Sequence, residues 1–242
     1  MIKKTAIAFS IAIIVLIFSG CKNSSNPQVF FFNYKFIGIR EGRTVKFYET
    51  QDQKTWNYSP GKDFVSPESI NGVFHFTGPY IGAKNGNTVK FYMTNEQGIW
   101  SYSQGKDFTS PAEIDDIFSF SMSTVGVRNG RTVKFYDTHK DGSWTRSIIK
   151  DFIIPSDVDE AFSPISNYVG IRKGKTVKFY SINDQGAWTY IPGRDFISPN
   201  NTDGICYLKT GVMGVLSGRT IKFYTLNLNG TWSYKTGGDF SF

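Results

Sequence analysis

The chain has little of what usually makes chemistry legible. It carries two cysteines and two histidines in 242 residues. Cys206 lies in the apolar run Ile205-Cys206-Tyr207-Leu208 and reads as a small buried hydrophobe. The other cysteine, Cys21, follows an apolar leader, so no pair is left for a disulfide framework if the leader uses it. His75 and His139 stand at unrelated places, and neither a nucleophile–base pair nor a metal-ligand spacing can be built around them. No segment has a helical period of useful length, which excludes an α-solenoid. There is no basic run or tail, so nucleic-acid binding is unsupported.

The first 20 residues read as a leader outside the fold. Met1-Ile2-Lys3-Lys4 is basic, Ala6 to Phe18 is apolar, and Ser19-Gly20 precedes Cys21. The apolar run is too short for a membrane span. The arrangement resembles a bacterial lipoprotein cleavage box, in which the cysteine becomes the lipidated N-terminus. Phe18 departs from the usual leucine. The expected organisation is a signal over 1–20, a polar tether over 21–28 and one domain over 29–242. Removing Lys3 and Lys4 leaves 25 basic against 20 acidic residues, a mild excess of five. Much of that excess sits at repeated positions such as Arg40, Lys84, Arg128 and Arg172.

What is present is a repeat of 44 residues, run five times without a slip. Thr44-Val45-Lys46-Phe47-Tyr48 returns at 88–92, 132–136, 176–180 and 220–224, the last with Ile221 for valine. Trp56 returns as Trp100, Trp144, Trp188 and Trp232, and Asp63-Phe64 returns at 107, 151, 195 and 239. Each unit reads as four short strands, with glycine in the central hairpin at Gly42, Gly86, Gly130, Gly174 and Gly218. Four antiparallel strands per unit at this period predict the blade of a β-propeller. The fold class is therefore all-β, a five-bladed ring, with 240–242 placed to clasp the first blade. Asp63 and its copies form the only acidic position present in every unit, so Lys46 is expected to pair with Asp63 between blades. Asn71, Asp115, Asp159 and Asp203 precede the first strand of their units and suggest turn chemistry, with repeated calcium sites as the alternative.

The segments Phe74-His75-Phe76, Val89-Lys90-Phe91-Tyr92, Trp100 and Gly105, with their copies, resemble the five-bladed tachylectin-type lectins. A Gly-Gly-Trp turn expected there is replaced by Ser-Pro at Ser66-Pro67, Ser110-Pro111 and Ser198-Pro199. The resemblance implies multivalent binding of a sugar such as an N-acetylated hexosamine. Sugar pockets combine an aromatic face with a carboxylate or amide. The candidate ligand-binding residues are Lys46, Trp56, Tyr58 and Asp63; Lys90, Trp100, Tyr102 and Asp107; Lys134, Trp144 and Asp151. Lys178, Trp188, Tyr190 and Asp195, then Lys222, Trp232, Tyr234 and Asp239 complete them. Arg146 replaces the tyrosine of the third unit, so that site is expected to be weakest. The competing reading makes the tryptophans blade-packing residues.

Alternating strand direction puts the variable loops Gln51–Lys54, Asn95–Gly98, His139–Gly142, Asn183–Gly186 and Asn227–Gly230 on one face. The Gly61-Lys62-Asp63-Phe64 turn and its copies are expected on the opposite, uniform face. The functional expectation is a non-catalytic lectin-like lipoprotein of the bacterial envelope. It would be a monomer without a cofactor or metal, lipid-anchored at the outer membrane or cell surface. Its partner would be a glycan or other repeated ligand. The alternative is a scaffold for another envelope protein. A glycoside hydrolase fits less well, because it keeps one asymmetric carboxylate pair and has no use for five similar units.

Overall fold

The computed structural model describes residues 27–242 except Tyr34, Gln53 and Thr210. The leader, Cys21 and nearly all of the tether lie outside the described residues. Each repeat unit folds into one antiparallel sheet. In the first, the inner strand Gln28–Asn33 pairs with Phe36–Glu41, which pairs with Thr44–Glu49. This third strand carries the outermost strand in two pieces, Asn57–Tyr58 and Phe64–Val65. The remaining units repeat the arrangement around third strands Thr88–Thr94, Thr132–Thr138, Thr176–Ile182 and Thr220–Leu226. The molecule is a five-bladed β-propeller with four strands per blade, the outer one interrupted, and no helix occurs among the described residues.

Local chemistry explains why each unit folds this way. The hairpin glycines adopt positive φ, as at Gly130 (56°) and Gly174 (57°), which only glycine accepts without strain. Asp115, Asp159 and Asp203 accept the amide protons of Gly130, Gly174 and Gly218, each at 2.7 Å. Turn chemistry is thus their role in the fold. A second set of glycines fixes the inner hairpin. Phe30, Phe74, Phe118 and Phe162 stand directly opposite Gly38, Gly82, Gly126 and Gly170. A Cβ at any of these glycines would lie 2.4 Å from the facing ring. The ring fills the space a side chain would occupy, which pins the register of the two strands.

The apolar core is divided into layers, one at each blade interface. Val45, Phe47 and Phe64 of the first blade pack against Val73, Ile81 and Tyr92 of the second. The same layer recurs at the next three interfaces. Val45 and Phe47 face the following blade, while Tyr48 and Trp56 face the preceding one. The last layer joins Phe223 and Phe240 to Ile37, Ile39 and Trp56 and closes the ring. Phe240 lies 4.8 Å from Tyr48, ring to ring, so the C-terminal residues clasp the first blade as the sequence suggests. Cys206 is buried and free, opposite Gly214.

Candidate functional site

The repeated tryptophans lie between blades. Trp100 stacks on Phe47 of the preceding blade at 5.5 Å and 20°. Trp144 stacks on Phe91 and Trp188 on Phe135 in the same way. The indole of Trp100 donates to the backbone carbonyl of Lys62 at 2.8 Å. Trp144, Trp188 and Trp232 donate to Lys106, Lys150 and Arg194 at 2.9 Å. Each tryptophan therefore bolts its blade to the one before. Trp56, at the closing seam, is enclosed with its Nε1 unpartnered, and Gly238 stands where the other units have a basic residue.

The remaining candidates gather at the outer edge of each blade. Tyr58 donates to Asp63 at 2.6 Å and Tyr102 to Asp107 at 2.7 Å. The same bond joins Tyr190 to Asp195 and Tyr234 to Asp239 and raises each tyrosine pKa. The carboxylate's close partner is thus a tyrosine of its own blade, and the expected Lys–Asp bridge is not found among the described residues. Lys90 instead meets Glu68 of the preceding blade at 2.5 Å. The ammonium groups of Lys90, Lys178 and Lys222 lie 5.9, 5.5 and 6.0 Å from the ring centres of Tyr102, Tyr190 and Tyr234. These tyrosines stay open to solvent: Tyr58 and Tyr102 are 46% exposed and Tyr234 45%. The inner faces of Tyr58, Tyr102, Tyr190 and Tyr234 rest on Tyr48, Tyr92, Tyr180 and Tyr224. In the third blade Arg146 takes the tyrosine's place, pairs with Asp151 and lies over Tyr136. Lys46 and Lys134 are exposed on their third strands.

The Gly-Lys-Asp-Phe turn is not on the hairpin face. It interrupts the outer strand, because the residues before and after it both pair with the third strand. Gly98, in the variable loop of the second blade, packs against Gly61 and Lys62. The turn therefore lies at the rim, under the next blade's variable loop. The lysines of this turn reach back over an aromatic of their own blade, Lys62 over Phe36 at 4.1 Å and Lys106 over Tyr80 at 4.5 Å.

No protein-family model matches the chain, and no curated protein matches it significantly. Several solved structures are similar to parts of it. A functionally unknown protein from Desulfotomaculum acetoxidans is 14% identical, with 90% of this chain and 70% of that one covered and a TM-score of 0.47. A Lactobacillus plantarum protein is 11% identical over 86% of this chain and 69% of that one, TM-score 0.45. Hsv2 of Kluyveromyces lactis is 12% identical over 86% and 62% of the two chains, TM-score 0.46.

Around the axis the blades differ, in a belt whose repeated cations the sequence marks and whose partners it does not. Arg40, Lys84, Arg128 and Arg172 are all buried there. Arg128 binds Asp116 at 2.5 Å, and Arg172 binds Glu160 at 3.0 Å. Lys84 donates to the Ile114 carbonyl of the next blade at 2.7 Å. Gln28, Asp116 and Glu160 accept the amides of Val73, Ala161 and Ile205, so one side chain spans each of these interfaces. Burial pushes the Glu160 carboxyl up to about 7, against the pull of Arg172. Only their common position at the head of the inner strand marked these residues, and chemically unlike side chains hid it. Their charges are spent on one another and on backbone, so the outward surface is less basic than the composition implies. A groove of about 220 Å³ lies between the first two blades, beside the hairpin of the second. Ser66, Glu68, Asn85, Thr88, Lys90 and Tyr92 line it, and Lys90 links it to the Tyr102 ring.

Proposed function

We propose that the ring is a non-catalytic, multivalent carbohydrate-binding module. One observation carries this reading. Four blades present the same exposed tyrosine, its hydroxyl held by a carboxylate of the same blade. A sugar ring needs an apolar platform bordered by polar groups, and a platform already held in place loses little entropy on binding. The first-to-second blade interface offers the fullest set: the Tyr102 platform, Lys90, Asp107 and the adjoining polar groove. The tryptophans leave the proposed pockets and serve as their foundation. Each site binds weakly, and linking them raises apparent affinity by about 10²–10⁴ on a repeated glycan. The charged groups at the axis are committed to blade joints, which supports binding over hydrolysis. A lipid on Cys21 would hold the ring at a bacterial envelope.

The test is a glycan array of the full chain, followed by calorimetry with the best ligand. Tyr102→Ala should lower the number of sites by one and leave the others unchanged. The reading fails if no glycan binds while one envelope protein is recovered at a one-to-one ratio, which selects the scaffold. Release of reducing sugar would select the hydrolase. Cys21→Ser should free the protein from membranes, and continued retention would refute the anchor.

A further inference from the structure

Three blade interfaces carry a phenylalanine that the fourth replaces by proline and the closing seam by leucine. At the end of the inner hairpin, Phe32 lies 5.4 Å from Phe47 and 5.7 Å from Trp100, ring to ring. Phe76 lies 5.2 Å from Phe91 and 5.8 Å from Trp144. Phe120 lies 4.6 Å from Phe135 and 6.0 Å from Trp188. In the fourth blade the equivalent position is Pro164. Phe179 and Trp232 still stack there, at 5.9 Å and 23°, with Phe162 edge-on to Phe179 at 6.3 Å and no phenylalanine at position 164. A cleft of about 50 Å³ opens over the pair, lined also by Pro164, Ile191, Tyr207 and Leu226.

Two of the walls are more apolar than at the first two interfaces. Ile191 stands where the preceding blades have Ser59, Ser103 and Ser147. Leu226 stands where Thr94 and Thr138 border the first two interfaces. An apolar space of this kind is poorly suited to water and accepts an apolar guest. Arg194 also lines the cleft and is exposed. Lys62 and Lys106, its counterparts, lie over aromatic rings, and Lys150 donates to the Gln185 carbonyl at 3.1 Å. Arg194 makes no side-chain hydrogen bond or ion pair among the described residues, so its guanidinium is available to an anion.

We infer that the cleft between the fourth and fifth blades binds a small aryl carboxylate. The aryl ring takes the place of the absent phenylalanine against Phe179 and Trp232. The carboxylate meets Arg194, whose planar fork suits that group. This site is independent of the rim tyrosines and occurs once per ring.

Phenylacetate is the probe, titrated into the full chain and read by calorimetry and by quenching of tryptophan fluorescence. One saturable site per chain is expected, with no binding of acetate. Arg194→Gln should weaken phenylacetate by roughly tenfold or more and leave the neutral analogue benzyl alcohol unaffected. Pro164→Phe installs the residue found at the first three interfaces, fills the cleft and should abolish binding of both. Tyr102→Ala, at a distant interface, should change neither, so this result stands apart from the glycan test. The proposal is overturned if phenylacetate shows no saturable binding at millimolar concentration. Undiminished binding after Arg194→Gln, or by a folded Pro164→Phe protein, overturns it equally.

Discussion

Trp56 and Trp144 occupy equivalent positions and differ in one bond. Trp144 donates to Lys106 at 2.9 Å, whereas the Trp56 donor is enclosed without a partner. Phenylalanine removes the same atoms from both. Trp144→Phe should therefore cost about 1 kcal/mol more than Trp56→Phe, the net worth of a typical hydrogen bond, read from urea midpoints. Equal losses would show that the indole bonds contribute nothing. The rim behaves differently. Tyr102 is 46% exposed, and the second oxygen of Asp107 is enclosed with no partner. The desolvation of that oxygen offsets much of what the tyrosine bond contributes. Asp107→Ala should cost less than about 1 kcal/mol of stability while weakening the proposed glycan site. A loss large enough to unfold the ring would make Asp107 a structural residue and remove it from the site.

Individual strands are held by two devices, one steric and one electrostatic. The steric device is the phenylalanine–glycine pair of the inner hairpin. Gly126→Ala places a methyl 2.4 Å from the Phe118 ring and should cost about 1–3 kcal/mol by overpacking, measured by thermal or chemical unfolding. The electrostatic device is the bridge from the head of one inner strand to the next. Glu160 bridges Arg172 and the Ile205 amide, and burial raises its pKa from 4.5 to about 7. A raised folded-state pKa means that the folded protein binds the proton more tightly than the unfolded chain. The contribution is full below about 4.5 and is lost as the pH climbs through 7. Stability should fall across that window, and Glu160→Gln should flatten the fall. Parallel pH profiles for the two proteins would exclude Glu160 as the source.

The ring as a whole is closed by side chains, and among the described strands no blade is shared between the first and last repeats. Phe240 joins the seam layer with Trp56 and Phe223, and Arg219 bridges to Glu41 at 2.6 Å. That salt bridge is exposed and contributes little. The apolar contact dominates, so Phe240→Ala should cost about 3–5 kcal/mol, by analogy with buried phenylalanines elsewhere. Because the seam lacks the indole hydrogen bond that joins the other four interfaces, amide exchange should rise first in the first and fifth blades. Exchange that rises first at another interface would place the weakest joint elsewhere.

The repeat by itself determined the blade count, the four strands, the hairpin glycines and the alternation of Val45 and Phe47 against Lys46 and Tyr48. These follow from local periodicity and turn chemistry, which act over a few residues and survive in a linear reading. The sequence also singled out tryptophan, tyrosine, lysine and aspartate together, since all recur at one spacing. Only the tertiary structure separated them. Trp100 and Tyr102 are two residues apart and face the same neighbour, yet one is bonded into the joint and the other remains open at the rim. Spacing records which side of a strand a residue faces but not how far from the ring axis the neighbouring blade still covers it. The sequence points Asp63 to Lys46, but the broken outer strand brings Tyr58 within 2.6 Å of it instead. The axial belt was least legible, because glutamine, glycine, aspartate and glutamate share a place that no conserved chemistry announces. What singles out the cleft at Pro164 is a missing ring, and its meaning depends on the three interfaces where phenylalanine fills that space.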